Sequence, residues 1–196
     1  MSMPAYLAPR RWTEEEFYSA RDAAPASERW ELVDGEVLVT PGANWGHQDI
    51  VVQLLVLLAP YVRQHSLGVL LTAPCDVRFE PGLVVQPDIS VVPAGHLRAK
   101  SDTVTKLTLA VEVISPSSAR FDRVIKRPRY QQHGVSEYWI VDVESRIIER
   151  WQPDDARPAI IADRLTWHPA KATEPFVLDV AALFGDASPT DGDLSS

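Results

Sequence analysis

Two carboxylates and one lysine, far apart in the chain, have the chemistry for phosphodiester hydrolysis. Glu112 stands inside the apolar run Leu109-Ala110-Val111-Glu112-Val113-Ile114. A run this apolar reads as a strand covered on both faces. An ionised carboxylate there is costly unless a cation or strong donors compensate it. Asp88 opens a second apolar stretch, Pro87-Asp88-Ile89-Ser90-Val91-Val92, and should sit at the mouth of a sheet. Oxygen ligands of this kind suit Mg²⁺ or Mn²⁺, and the Val113 carbonyl could add a third. Such an ion would orient a water, ease its deprotonation and offset charge in the transition state. Lys126, on a predicted helix, would position that water and stabilise developing negative charge.

The elements that must position these residues follow from local signals. Thr13-Glu14-Glu15-Glu16 has the form of a capping box and predicts a short helix to about Arg21. The runs Trp30 to Val33 and Glu36 to Val39 flank Asp34-Gly35, a strong hairpin signal. From about Trp45 to Gln64, Ile50, Leu54, Leu57, Leu58 and Tyr61 recur at helical spacing, with Pro60 as a candidate kink. Short strands are predicted at 69–72, 75–79, 84–85 and 89–92, then a polar loop over 93–106. After the Glu112 strand comes a helix that Gly134 should end, with Asp122, Lys126 and Tyr130 on one face. Residues 137–141 form the next strand, and 147–151 pair with it. Strand, helix and strand across 107–141 make a crossover unit, so part of the sheet should be parallel. The reading is an α/β fold: a mixed central sheet flanked by helices, with an N-terminal helix and β-hairpin. Residues 1–184 read as a single domain, with 152–184 proline-rich and less regular. Residues 185–196 read as a polar tail, expected to be disordered.

Composition narrows the classes. The chain has 196 residues, 45% of them hydrophobic, which suits a globular domain with its own core. Cys75 is its one cysteine, so no internal disulfide can form, as in a reducing cytoplasm. The greasy stretch from Ile50 to Val62 is too short to span a bilayer. The expected setting is cytoplasmic, without a membrane. Net charge is −8, which weighs against a large nonspecific DNA surface. A basic cluster of Arg120, Arg123, Lys126, Arg127 and Arg129 runs the other way. It reads either as a solvated helix face or as a DNA-contacting one.

Taken together, the motifs resemble a known family. They are Glu31-Leu32-Val33-Asp34-Gly35-Glu36, His47, Pro87-Asp88, Val111-Glu112-Val113-Ile114-Ser115-Pro116-Ser117, Asp122, Lys126, Tyr130, and Gly134-Val135 through Glu137-Tyr138-Trp139 to Val141-Asp142. The pattern is similar to the Uma-type restriction endonucleases of the PD-(D/E)xK nuclease superfamily and covers roughly residues 12 to 150. The resemblance implies a restriction-endonuclease-like core, a divalent metal, DNA as substrate and frequent homodimers. By position it implies Asp88 and Glu112 as metal-binding acids, Lys126 as catalytic lysine and Glu31 as an additional acid. The superfamily pattern expects a lysine where Ile114 stands, so the lysine must arrive from the neighbouring helix. Pro128 should kink or break that helix just past Lys126.

Each residue also has a plainer reading. Lys126 could be a surface lysine pairing with Asp122. Glu31 could be an exposed strand residue pairing with an arginine. His47 could touch the scissile phosphate or bond locally at a helix start. Arg123 and Arg127 are the other substrate-contact candidates. Tyr130, Tyr138 and Trp139 fit core packing better than base stacking, and Gln86 and Ser115 are candidate helpers that orient the acids. The expected function is a Mg²⁺- or Mn²⁺-dependent DNA endonuclease. The alternative is a catalytically weak nuclease-fold binding or assembly module. The apolar strands carrying Ile140-Val141 and Ile147-Ile148 add a second motive for a homodimer.

Overall fold

A computed structural model describes residues 11–40, 44–96, 104–116 and 118–185. The capping box forms as the sequence dictates: Thr13 and Glu16 each accept the other's backbone N–H and start α1 (Glu14–Asp22). Strands β1 (Arg29–Val33) and β2 (Glu36–Thr40) make the expected hairpin. Asp34 and Gly35 both have positive φ, which gives a two-residue turn the right-handed twist of its strands. Helix α2 (Trp45–Gln64) begins on the Asn44 cap and runs through Pro60 without ending there.

The central sheet has six strands: β3 (Gly68–Thr72), β6 (Ile89–Pro93), β7 (Leu109–Ile114), β8 (Glu137–Asp142), β9 (Ile147–Trp151) and β10 (Ala159–Ile161). Their order is β10-β9-β8-β7-β6-β3. Only β7 and β8 run parallel, joined by the crossover; the other neighbours are antiparallel. The hairpin continues into a second sheet, order β2-β1-β5-β4, with β4 (Val77–Glu80) and β5 (Leu83–Val85). The expected mixed α/β architecture is present.

Every residue of β7 is buried, as its apolar run requires. Leu109, Val111 and Val113 join the core beneath α2, while Ala110 and Ile114 join the opposite core with Phe121, Tyr130 and Tyr138. Alternation sends Glu112 to that second side. On β1, Val33 joins the same core, so Glu31 faces the same way. Two strands from different sheets therefore aim carboxylates into one interior.

The C-terminal region corrects the sequence expectation. Residues 152–184 contain β10, β11 (Arg164–Trp167), β12 (Phe176–Asp179) and α4 (Val180–Leu183). Leu165, Trp167, Phe176 and Leu178 pack into the α2 core. Alternations only four residues long, among prolines and polar residues, give too short a period to stand out in sequence. The expected tail lies outside the described residues, apart from Gly185. So does much of the expected loop over 93–106.

Pro128 acts in a way the sequence only half predicts. The crossover helix divides into a π-helix (Phe121–Lys126) and α3 (Arg127–Gln132), with Pro128 in the first turn of α3. A proline ring collides with the carbonyl four residues back, and the wider π turn relieves that collision. Arg127 N–H bonds the Asp122 carbonyl five residues back. The Arg123 carbonyl accepts instead from Arg127 Nε at 3.2 Å. The helix changes its pitch rather than breaking, and Lys126 is the last residue of the wide turn.

Candidate active site

Lys126 is the centre of a buried charge cluster. Its Nζ lies 2.9 Å from Glu31 Oε1, 2.9 Å from Glu112 Oε1 and 2.8 Å from Asp122 Oδ1. Lys126 and Glu31 are 0% exposed, Glu112 and Asp122 1%. The pairing with Asp122 is real, but it is no surface contact. Tyr130 hydroxyl donates to Glu112 Oε1 at 3.1 Å, so the expected face of Asp122, Lys126 and Tyr130 forms despite the change of helical pitch. Gln86 N–H donates to Glu31 Oε1 at 2.7 Å, through its backbone and not its amide.

Asp88 stands on the other side of this cluster. It precedes β6, and β6 pairs Ile89 with Val111. Continuing that register by one residue sets Asp88 opposite Glu112. The ladder stops there, and Asp88 Oδ2 accepts the Val113 N–H at 2.7 Å instead. Its other oxygen receives Arg29 at 2.5 Å and faces His47 Nε2 at 3.4 Å. Arg29 was not singled out from sequence. It precedes Glu31 by two on one strand, so both side chains share a face. That spacing was the available signal.

The electrostatics follow from burial and company. Burial pushes the Glu112 carboxyl well above its ordinary range; Lys126 opposes this, while Asp122, Glu31 and Asp88 add to it. Burial works against the Lys126 ammonium, but Asp122, Glu112 and Glu31 outweigh it and raise its pKa well above the lysine range. Asp88 is also buried, yet His47, Arg29 and the Val113 N–H hold its carboxyl below the usual value. The two neighbouring acids are thus shifted in opposite directions, Glu112 upward by burial and Asp88 downward by His47, Arg29 and the Val113 N–H.

A cleft of about 710 Å³ opens beside Asp88. Arg29, His47, Asp88, Val113 and Ser115 line it, together with Glu28 and Glu144. Glu31, Glu112 and Lys126 lie behind that wall. Arg123 and Arg127 are not brought to the cleft. Arg123 pairs with Asp142 and Glu149 at 2.8 and 2.6 Å, and Arg127 stacks over Trp151 at 4.5 Å. Tyr130, Tyr138 and Trp139 are core residues.

The donor set suits a hard cation. Glu112 Oε2 is a buried acceptor without a hydrogen-bond donor, open to one more positive partner. Yet among the described residues no three His, Cys, Asp or Glu side chains are grouped as metal ligands. The reason is visible: the point where Glu31, Glu112 and Asp122 converge is taken by the ammonium of Lys126.

The mixed sheet, with its one parallel pair joined by the crossover helix, defines an α/β fold seen in a solved structure. The same fold occurs in a crystal structure from Anabaena variabilis ATCC 29413, described as "a putative nuclease belonging to DUF820". The TM-score is 0.74 at 18% identity, covering 88% of this chain and 97% of that one. The family model described as "Uma2: Putative restriction endonuclease" matches residues 14–181, and the chain belongs to that family. No curated protein matches the chain. No helix among the described residues is long and apolar enough to cross a membrane.

Proposed function

We propose that this protein is a divalent-metal-dependent endonuclease that hydrolyses DNA phosphodiesters, with residues 1–184 acting as one cytoplasmic domain. The observation that carries this reading is the meeting of Glu31, Glu112 and Lys126 behind a cleft lined by Asp88. Asp88 and Glu112, with the Val113 carbonyl, would hold Mg²⁺ or Mn²⁺. The ion, when bound, supplies a Lewis acid that offsets charge gained by the phosphoryl oxygens. Lys126, with its ammonium held by Glu31, Glu112 and Asp122, would supply a donor to the attacking water by exchanging one of these three partners for it. Glu31 fixes the ammonium, and Tyr130 orients Glu112. His47 lines the cleft beside Asp88, where it can hold a phosphate oxygen. Plasmid cleavage with Mg²⁺ or Mn²⁺ tests these roles. Wild type should cut, while Asp88→Ala and Lys126→Ala should each lose most of the activity. Unchanged activity in both variants removes the assignment.

One observation favours the second reading, a nuclease-fold binding or assembly module. Lys126 is sealed from the cleft, and both oxygens of Asp88 are already engaged. Calorimetric titration with Mn²⁺ separates the two. Binding that Asp88→Ala abolishes leaves the module without support, whereas no binding at all favours it.

A homodimer belongs to this reading on family grounds. The strand pair that first motivated it does not: β8 and β9 pair with each other inside the sheet, and Ile140, Val141 and Ile148 are buried. Light scattering that finds only monomer at micromolar concentration removes the dimer.

A further inference from the structure

Asp88 draws the basic groups of the cleft lining onto itself. Among the described residues that lining carries Arg29 and His47 against Glu28, Asp88 and Glu144. Arg29 Nη1 pairs with Asp88 Oδ1 at 2.5 Å, and His47 Nε2 faces the same oxygen at 3.4 Å. A phosphate in the cleft and the Asp88 carboxylate therefore compete for one guanidinium.

Arg29 is poorly matched to the acids around it. Its Nη2 stops 4.0 Å from Glu31 Oε2, beyond hydrogen-bond reach. That oxygen and Glu112 Oε2 are both buried acceptors without a donor. Burial works against the Arg29 charge, while Glu31, Glu112 and Asp88 all favour it. A guanidinium is a flat fork that suits one carboxylate edge, whereas a compact divalent ion takes oxygens from several sides at once. Lys126, the other cation at these acids, is 0% exposed and holds three carboxylates. The Arg29 side chain is 19% exposed and lines the cleft, so it is the one with somewhere to go.

We propose that Arg29 is an exchangeable cation that yields Asp88 to a divalent ion and then binds a phosphate of the substrate in the cleft. This rests on the metal-dependent hydrolase reading above and adds to it a residue that couples ion to substrate. Arginine suits the second role, because its fork pairs with phosphate oxygens two at a time. Coupling is reciprocal, so each ligand strengthens the binding of the other.

Calorimetry with Mn²⁺ alone, and fluorescence anisotropy with a labelled phosphorothioate DNA duplex, test this on the full chain. Mn²⁺ should tighten duplex binding by wild type about tenfold or more, within the usual range of coupling between two sites. In Arg29→Met, Mn²⁺ alone should bind about tenfold tighter, since no cation has to be displaced, and the coupling to duplex should fall to about threefold or less. Arg29→Lys, which keeps the charge without the fork, should lie between the two. Nitrogen-15 NMR of the Arg29 side chain in wild type depends on no variant's folding: its Nε–H signal should shift and exchange faster with water once Mg²⁺ is added. Metal binding that leaves this signal unchanged, or equal coupling in wild type and Arg29→Met, overturns the proposal and leaves the hydrolase reading intact. Absence of Mn²⁺ binding to wild type overturns both. Release of Arg29 with coupled duplex binding, but no cleavage of an unmodified plasmid, leaves this proposal standing and defeats the hydrolase reading.

Discussion

Lys126 Nζ and Glu112 Oε1 stand 2.9 Å apart, and neither side chain has more than a trace of contact with solvent. Such a pair is expensive to bury and more expensive to break. Its presence in the interior of a small α/β domain is poorly explained by stability alone, since apolar residues of the same volume would pack there at lower cost.

Removing the cation should therefore be severe. Lys126→Met leaves Glu31, Glu112 and Asp122 facing one another without their shared ammonium, and should cost about 3–5 kcal/mol. Adding Glu112→Gln removes one stranded carboxylate. The double variant should lose clearly less than the two single losses combined. Urea unfolding of the four proteins checks this; strict additivity would show that the two groups do not depend on each other.

The raised Glu112 carboxyl sets a pH dependence of definite sign. Its unfolded pKa is near the ordinary 4.5 and its folded one lies well above. Between the two values the folded protein binds the extra proton, so this group's contribution is full below 4.5 and is lost as pH rises through the folded value. Lys126 adds no slope there, since its raised pKa lies beyond the lysine range. Urea midpoints should fall as pH rises above 4.5 in wild type, and fall less in Glu112→Gln. Parallel pH profiles for the two proteins would refute it.

Asp88 should act on the acid side with the opposite sign. Its folded pKa is below the ordinary 3.8, so its stabilisation is present above that value and lost as pH falls through the folded one. Arg29 contributes through the ion pair at 2.5 Å. Arg29→Met should be less stable than wild type above pH 3.8, and the gap should close on further acidification, when Asp88 is neutral in both. Thermal unfolding across that range measures the gap, and a pH-independent gap would mean that Arg29 acts only by packing.

How far the site could be read in sequence depended on the range of each signal. Asp34-Gly35 and the capping box act within four residues, and both formed as expected. The lone acid in the β7 run marked Glu112, because burial of that run was itself legible. What the sequence could not supply was direction. Nothing in Arg123 and Arg127 says that one reaches Asp142 and Glu149 and the other Trp151. Asp122 looked like a surface partner for Lys126, since i,i+4 spacing is the same on a wet face and a dry one. Arg29 needed only the two-residue period of β1 to be set beside Glu31, but its partner Asp88 comes from the segment that leads into β6 of the other sheet.

Pro128 offers the sharpest separation of stability from function. The π turn that ends at Lys126 exists beside a proline that excludes a normal helix through the same residues. Pro128→Ala restores a backbone N–H and removes the ring, so an ordinary α-helix becomes available from Phe121 onward. That variant should be as stable as wild type or more so, because an interior proline costs about 3 kcal/mol in a regular helix. The tighter pitch would turn Lys126 away from Glu31 and Glu112, and cleavage in Mg²⁺ should drop by tenfold or more. The two measurements move in opposite directions only if the wide turn is held for the sake of Lys126. A variant that is less stable and equally active would show that the π turn serves packing alone.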